Sequence, residues 1–181
     1  MGTSSQAVAD EEAVSEAPRC VIRVATPADI PWITAIYVQF VSASTATSEL
    51  TPPSEAEMLR RFRAVRCYGL PYLVAELEGY IVGFCYAKQF RPREGYRNTV
   101  EDSIYVRPDC IGHGVGRLLL TELIAQCRKS ACHSMVACIV GENPSSVALH
   151  TSLGFQRAGL LPEAVYKFDK WLPMLMMQLI L

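Results

Sequence analysis

The sequence predicts an α/β domain built around a mixed sheet. Strand-like and helix-like segments alternate along the chain in the order β-α-α-β-β-β-α-β-α-β-β, the pattern of a sheet covered by helices. Ser134-Met-Val-Ala-Cys-Ile-Val140 is a nearly continuous apolar run, which suits a central strand buried on both faces. Half of the 181 residues are hydrophobic and 19% are charged, the balance of a chain that buries a real core.

Cys20-Val-Ile-Arg-Val24 opens the domain as a short strand, and Thr26-Pro27 and Asp29 punctuate its end. A helix follows to about Val41, with Ile30, Ile33, Ile36, Tyr37 and Phe40 on one face. Residues 45–53 are a loop ending in Pro52-Pro53, and Ser54 with Glu57 reads as a capping box for a second helix over 55–66. Residues 71–76 and 80–87 form a hairpin across Glu78-Gly79. A basic loop, 88–97, carries Lys88, Arg91, Arg93 and Arg97 between Phe90 and Tyr96.

The stretch Thr99–Val106 is a strand rich in extended-chain formers, and Pro108-Asp109 ends it because proline offers no ladder donor. Gly112, Gly114 and Gly116 follow, and then an apolar helix to about Ser130. Glycines allow a close backbone approach, and a helix N-terminus presents free N–H groups and the positive end of its dipole. Strand, glycine loop and helix start therefore make a phosphate-binding device. A nucleoside-triphosphate loop would need Lys then Ser or Thr after the last glycine, and a dinucleotide fingerprint a third glycine; Arg117-Leu118 meets neither. Pro144 opens a short helix over 144–153, closed by Gly154-Phe155, and the C-terminal tail through Tyr166, Phe168 and Trp171 forms one or two closing strands.

Several function classes are disfavoured. A net charge of −1 leaves no footprint for nucleic acid or an anionic membrane. No apolar run is long enough to cross a bilayer. Seven cysteines without a CxxC pair do not make a disulfide framework, and they point to a reducing, cytoplasmic setting. Cys127, Cys132, His133 and Cys138 lack zinc-ligand spacing, so no metal is expected. Cys127 or Cys138 with His133 or His150 is a weak nucleophile pair, because these cysteines fall on a helix and a buried strand. Residues 1–19 are acidic before Arg19 and fit neither a secretory nor a mitochondrial presequence; they read as a disordered tail to a single domain over 20–181.

Gly112-x-Gly114-x-Gly116 after a strand resembles the pyrophosphate loop of the GCN5-related N-acetyltransferases (GNAT). Asn143-Pro-Ser-Ser-Val-Ala-Leu-His150-Thr-Ser-Leu-Gly-Phe155 resembles the second cofactor motif of that family, with His150 where most members place a tyrosine as general acid. Phe90-Arg-Pro-Arg93, Thr99–Val106, Leu149-His150 and Tyr166–Leu172 together resemble the branch that acts on phosphinothricin, methionine sulfone or methionine sulfoximine. The resemblance covers residues 21–181. It implies a mixed, mostly antiparallel sheet with about four helices, acetyl-CoA as cosubstrate, and direct acetyl transfer to a small amino-acid-like amine in a ternary complex.

The resemblance nominates Glu101 as base and His150 as acid. It places the coenzyme on Ile104, Tyr105, Val106, Gly112, His113, Gly114, Val115, Gly116, Arg117, Asn143, Ser146 and Ser152. The acceptor falls to Tyr37, Arg91, Arg93, Glu94, Gly95 and Tyr96, with Phe40 as apolar wall. Asp102, next to Glu101, points to the other face by strand alternation and is the weaker base. Ile111 departs from the family, which usually opens the loop with Arg or Gln; His113 is either a pH-sensitive substitute or a solvated loop residue. Homodimers are usual in the branch. Acetylation of peptide, protein or polyamine amines, and a non-catalytic acetyl-CoA sensor, are the alternatives.

Overall fold

The computed structural model describes residues 19–181; the acidic tail lies outside them, apart from Arg19. The strands are β1 (Val21–Val24), β2 (Tyr72–Leu77), β3 (Tyr80–Gln89), β4 (Thr99–Val106), β5 (Ser134–Val140), β6 (Gln156–Lys167) and β7 (Lys170–Ile180). The helices are α1 (Ile30–Ala43), α2 (Glu55–Cys67), α3 (Val115–Lys129) and α4 (Pro144–Ser152). Expected and observed element orders agree, and the tail forms two strands, not one. The strands make a single sheet in the order β1-β2-β3-β4-β5-β7-β6. Its pairs are antiparallel except β4 with β5, so the sheet is mixed and mostly antiparallel.

Alternation along β3 and β4 sorts the two faces. Phe84 meets Tyr37 of α1, and Tyr72 meets Phe62 of α2, so α1 and α2 cover one face. Cys85, next in sequence to Phe84, points the other way and donates its thiol to Leu119 of α3. Leu119, Leu120 and Leu123 of α3 are fully buried beneath that second face. Both faces of β2 and β3 are thus covered, which is why Leu73, Val74, Phe84 and Cys85 are all buried in spite of alternation.

What positions the site is an interruption of the sheet. The β4–β5 ladder joins Thr99–Asp102 to Ser134–Ala137, after which β4 runs on to Val106 and β5 to Val140 without pairing to each other. The two strands splay, so the β4 edge beyond Asp102 has polar backbone groups that no β5 partner takes up. A cleft opens at this point and reaches both faces of the sheet.

Candidate active site

The cleft has a volume of about 940 Å³ and is walled by α1, the α1–α2 loop, the free ends of β4 and β5, the glycine loop and α4. Its coenzyme-binding features are built from local sequence. Gly112 and Gly114 take φ of +86° and +81°, where a Cβ-bearing residue would be strained, and an added Cβ would point into open space. Gly114 is the N-cap of α3 and no side chain caps the helix, so the first amides of α3 face the cleft free to bind an anion. Gly116 differs from the sequence expectation. It is already helical and takes no positive φ, and a Cβ there would meet Leu149 of α4 at 3.4 Å, an ordinary contact.

Asn143 caps α4 through its side-chain oxygen, which accepts from the Ser146 amide at 3.0 Å. Arg117 donates to Ser152 across the α3–α4 gap at 3.1 Å. Gly141, at φ +69°, ends β5 where a Cβ would come within 2.8 Å of Thr45, so glycine is what lets the α1–α2 loop close over the cleft. That loop is held from a distance in sequence: buried Lys167 of β6 donates to the Thr47 carbonyl at 3.0 Å, and the Thr47 hydroxyl meets Tyr37 Oη at 3.0 Å. Burial lowers the Lys167 pKa, while Glu49 opposes that shift.

Glu101 and His150 both line the cleft but approach it from opposite faces. Glu101 stands opposite Lys88 across the β3–β4 ladder and pairs with its ammonium at 3.0 Å, on the α1–α2 face with Tyr86, Ser103 and Tyr105. Burial, the largest single influence, pulls the Lys88 pKa down, but the charge and hydrogen bond of Glu101 together with Tyr86 and Cys138 outweigh it and the net shift is upward. His150 comes up from α4 beneath the other face and is 1% exposed. Its Nε2 lies 3.1 Å from Asp102 Oδ2, and its Nδ1 lies 2.7 Å from the Ser146 carbonyl. Burial by itself would lower the His150 pKa; the hydrogen bond and charge of Asp102 win, and it is raised. Asp102 thus occupies the opposite face as alternation requires, and there it is the direct partner of His150.

The other expected residues divide. Ile104, Tyr105, Val106, Gly112, Gly114, Gly116, Arg117, Asn143, Ser146, Ser152, Tyr37 and Phe40 line the cleft. Val115 is buried in the core and His113 is an exposed loop residue; neither side chain reaches the wall. Arg91, Arg93, Glu94, Gly95 and Tyr96 lie on an exposed turn after β3, outside the cleft wall, with Arg91 stacked over Phe90 at 4.3 Å. The cations that do line the cleft are Lys88, Arg60, Arg61 and Arg117. Arg60 and Arg61 are bound by Glu57, and Arg61 also by Glu49. The sequence does not single out Lys88 and Tyr86 as site residues. Lys88 sits an even number of residues before Phe90, and only the β3–β4 register shows that it faces Glu101. Cys138 lines the cleft too, with its thiol pushed up to about 11, chiefly by burial and then by Glu101, which leaves it a poor nucleophile.

A split parallel strand pair beside a glycine cradle and an uncapped helix, with a carboxylate at the split, is the site of an acyl-CoA-dependent N-acyltransferase. The chain belongs to the GNAT acetyltransferase family, whose domain matches residues 22–176. The phosphinothricin N-acetyltransferase of Alcaligenes faecalis is 45% identical over 161 residues, which are 88% of this chain and 81% of that protein. The L-methionine sulfoximine/L-methionine sulfone acetyltransferase of Pseudomonas paraeruginosa is 42% identical, over 87% of this chain and 92% of its own length. The crystal structure of a GNAT superfamily phosphinothricin acetyltransferase from Sinorhizobium meliloti in complex with acetyl-CoA superposes with a TM-score of 0.88 at 45% identity, covering 90% of this chain and 88% of that one. This protein is an acetyl-CoA-dependent N-acetyltransferase, and the open glycine cradle and free amides of α3 fit the anionic end of that cosubstrate.

Proposed function

We propose that this enzyme acetylates the amine of small amino-acid-like acceptors of the phosphinothricin, methionine sulfone or methionine sulfoximine type. The observation that carries the reading is the placement of Glu101 at the split between β4 and β5, beside Tyr37 and Tyr86 and opposite the coenzyme cradle. The names of the relatives support the acceptor class.

Acetyl-CoA supplies an acetyl group activated as a thioester. The loop amides from Gly112 to Arg117 bind its anionic end, the free edge of β4 at Ile104–Val106 and the α4 residues Asn143, Ser146 and Ser152 bind its arm, and His150 is the source of acid. An amino-acid amine is mostly ammonium at neutral pH and attacks only when neutral. Glu101 takes that proton, and α1 supplies the apolar wall through Tyr37 and Phe40.

Lys88 is the ammonium nearest the base, so it takes the carboxylate of the acceptor. In a thiol-release assay, methionine sulfone, methionine sulfoximine and phosphinothricin turn over, and a short peptide with a free N-terminus turns over at least tenfold less well. Lys88→Ala raises KM for the amino acids roughly tenfold, the scale of one charge-assisted hydrogen bond, and leaves KM for a simple alkylamine unchanged. Preference for the peptide would overturn the acceptor reading, and equal effects on amino acid and alkylamine would remove Lys88 from it.

The enzyme is also proposed to be a cytoplasmic homodimer with no nucleic-acid or membrane partner. β6 ends the sheet with Leu160, Leu161 and Tyr166 exposed, and Trp171 of β7 beside Tyr166 is exposed as well; exposed large apolar side chains on an edge hairpin favour a protein interface. The seven cysteines are all free thiols, which suits a reducing compartment. Light scattering should give twice the chain mass, and Leu161→Arg with Trp171→Arg should give one; a wild-type monomer at micromolar concentration rejects the dimer.

A further inference from the structure

We propose that Ser146 is the catalytic residue that protonates the departing coenzyme thiolate, and that it is resupplied by a buried imidazolium, His150, positioned by Asp102. The inference rests on the acetyl-transfer reading above and assigns the path by which the acid of that reading reaches the cleft. Both ring nitrogens of His150 are directed at protein partners, so neither faces the coenzyme directly. The Ser146 carbonyl can only accept, so Nδ1 carries a hydrogen and donates to it at 2.7 Å. Nε2 donates to Asp102 Oδ2 at 3.1 Å, and the two side chains are each 2% exposed. A ring that donates from both nitrogens is an imidazolium. Asp102 Oδ1 is buried without a hydrogen-bond partner, so the carboxylate depends on this cation alone.

Ser146 connects the pair to the cleft. Its Oγ lies 3.3 Å from His150 Nδ1, four residues on along the same helix, and Ser146 is half-buried in the cleft wall, whereas the His150 side chain that borders the same cleft is only 2% exposed. The one Nδ1 hydrogen is shared between the Ser146 carbonyl at 2.7 Å and Oγ at 3.3 Å, so Oγ accepts from the ring and its own hydrogen is left to be given to the cleft. Hydroxyl, imidazole and carboxylate form a string of the kind used for acyl transfer, here run in the direction of proton donation. As the acceptor nitrogen bonds to the carbonyl carbon, the C–S bond breaks and sulfur leaves with the electron pair. Ser146 Oγ gives its hydrogen to that sulfur and takes the Nδ1 hydrogen of His150. His150 is left neutral, with its Nε2 hydrogen on Asp102, and recovers a proton from solvent, to which Glu101 has passed the proton of the ammonium.

The thiols around the pair are held in their neutral form, and the carboxylates nearby are Glu101 and Glu122. Cys85 of β3, Cys127 of α3 and Cys138 of β5 each feel the Asp102 charge, and burial, the leading cause in all three, pushes their thiols up. Glu122 of α3 acts on Cys85 as well. Among the described residues no second cation pairs with Asp102.

Two readouts test the relay. In ¹⁵N-labelled enzyme without ligand, the ring nitrogens of His150 report imidazolium at pH 7 in wild type and in Ser146→Ala, and neutral imidazole in Asp102→Asn. The raised folded pKa stabilises the protein fully below the unfolded value of about 6.5 and is lost as pH rises through the folded value; Asp102→Asn removes that dependence. In turnover at saturating acetyl-CoA, Ser146→Ala lowers kcat about 100-fold, the scale of general acid catalysis. Acetyl thioesters of more acidic thiols recover the loss, and Ser146→Thr keeps most of the rate. Neutral wild-type His150 at pH 7, wild-type kcat in Ser146→Ala, or an equal loss for all thioesters overturns the relay. If wild type acetylates none of the offered amines, the acceptor reading fails separately. The relay is then decided by the His150 titration and by acetyl-CoA hydrolysis in wild type against Ser146→Ala.

Discussion

Glu101→Gln should lower kcat/KM by about 10²–10⁴-fold, the contribution of a positioned general base, while leaving the fold intact. Glutamine keeps the size of the side chain on the face it shares with Tyr86 and Ser103, but it cannot take a proton from the acceptor ammonium. The change releases Lys88 from its 3.0 Å ion pair. The Lys88 side chain is 46% exposed, so water replaces its partner and the stability cost stays below about 1 kcal/mol. The measurement is kcat/KM across pH together with a thermal melt. The loss should shrink as pH rises toward the pKa of the free acceptor amine, because the fraction already neutral then needs no base. A variant that retains wild-type kcat/KM at pH 7 would remove Glu101 from the chemistry. A variant that melts many degrees lower would make its role structural.

Gly114→Val attacks the other half of the reaction. At φ +81° a β-branched side chain pays the left-handed penalty, roughly 1–2 kcal/mol or more. Nothing lies within 4 Å of the added Cβ, so the loop has room to shift instead of clashing. The strain falls on the N-cap of α3, and the amides that follow it lose their aim. Acetyl-CoA affinity should fall at least 30-fold, about 2 kcal/mol, by calorimetry, whereas KM for the acceptor amine should barely change. Gly116→Ala is the contrasting case: it adds an ordinary contact with Leu149 and should leave coenzyme affinity within a few fold. Equal effects of the two substitutions would mean that the loop acts only through packing.

Order that depends on near neighbours is legible in the residues themselves. Capping by Ser54, proline at the start of α4, the Glu78-Gly79 turn and the apolar run of β5 each involve residues within a few positions, and each element lies where the sequence puts it. The glycine loop is legible for the same reason, since positive φ is a property of one residue and its neighbours. Gly116 is the exception, because it lies inside α3 and takes no positive φ.

The active site itself is only half visible in the sequence. Glu101 and Asn143 carry motifs, but the pairing that sets the chemistry joins Asp102 to His150 across 48 residues, and Lys88 to Glu101 across the β3–β4 register. Strand alternation says that Glu101 and Asp102 look opposite ways; it does not say that the helix beneath Asp102 is α4, nor that Ser146 stands between its histidine and the cleft. The arginines of 91–97 resemble substrate ligands from their charge and from the family motif, and the turn they occupy lies outside the cleft wall. Local propensity and turn geometry act along the chain, and the residues themselves decide them. Which charges meet, and which of them water reaches, depends on where β4 and β5 part, and that is decided by packing helices against both faces of the sheet.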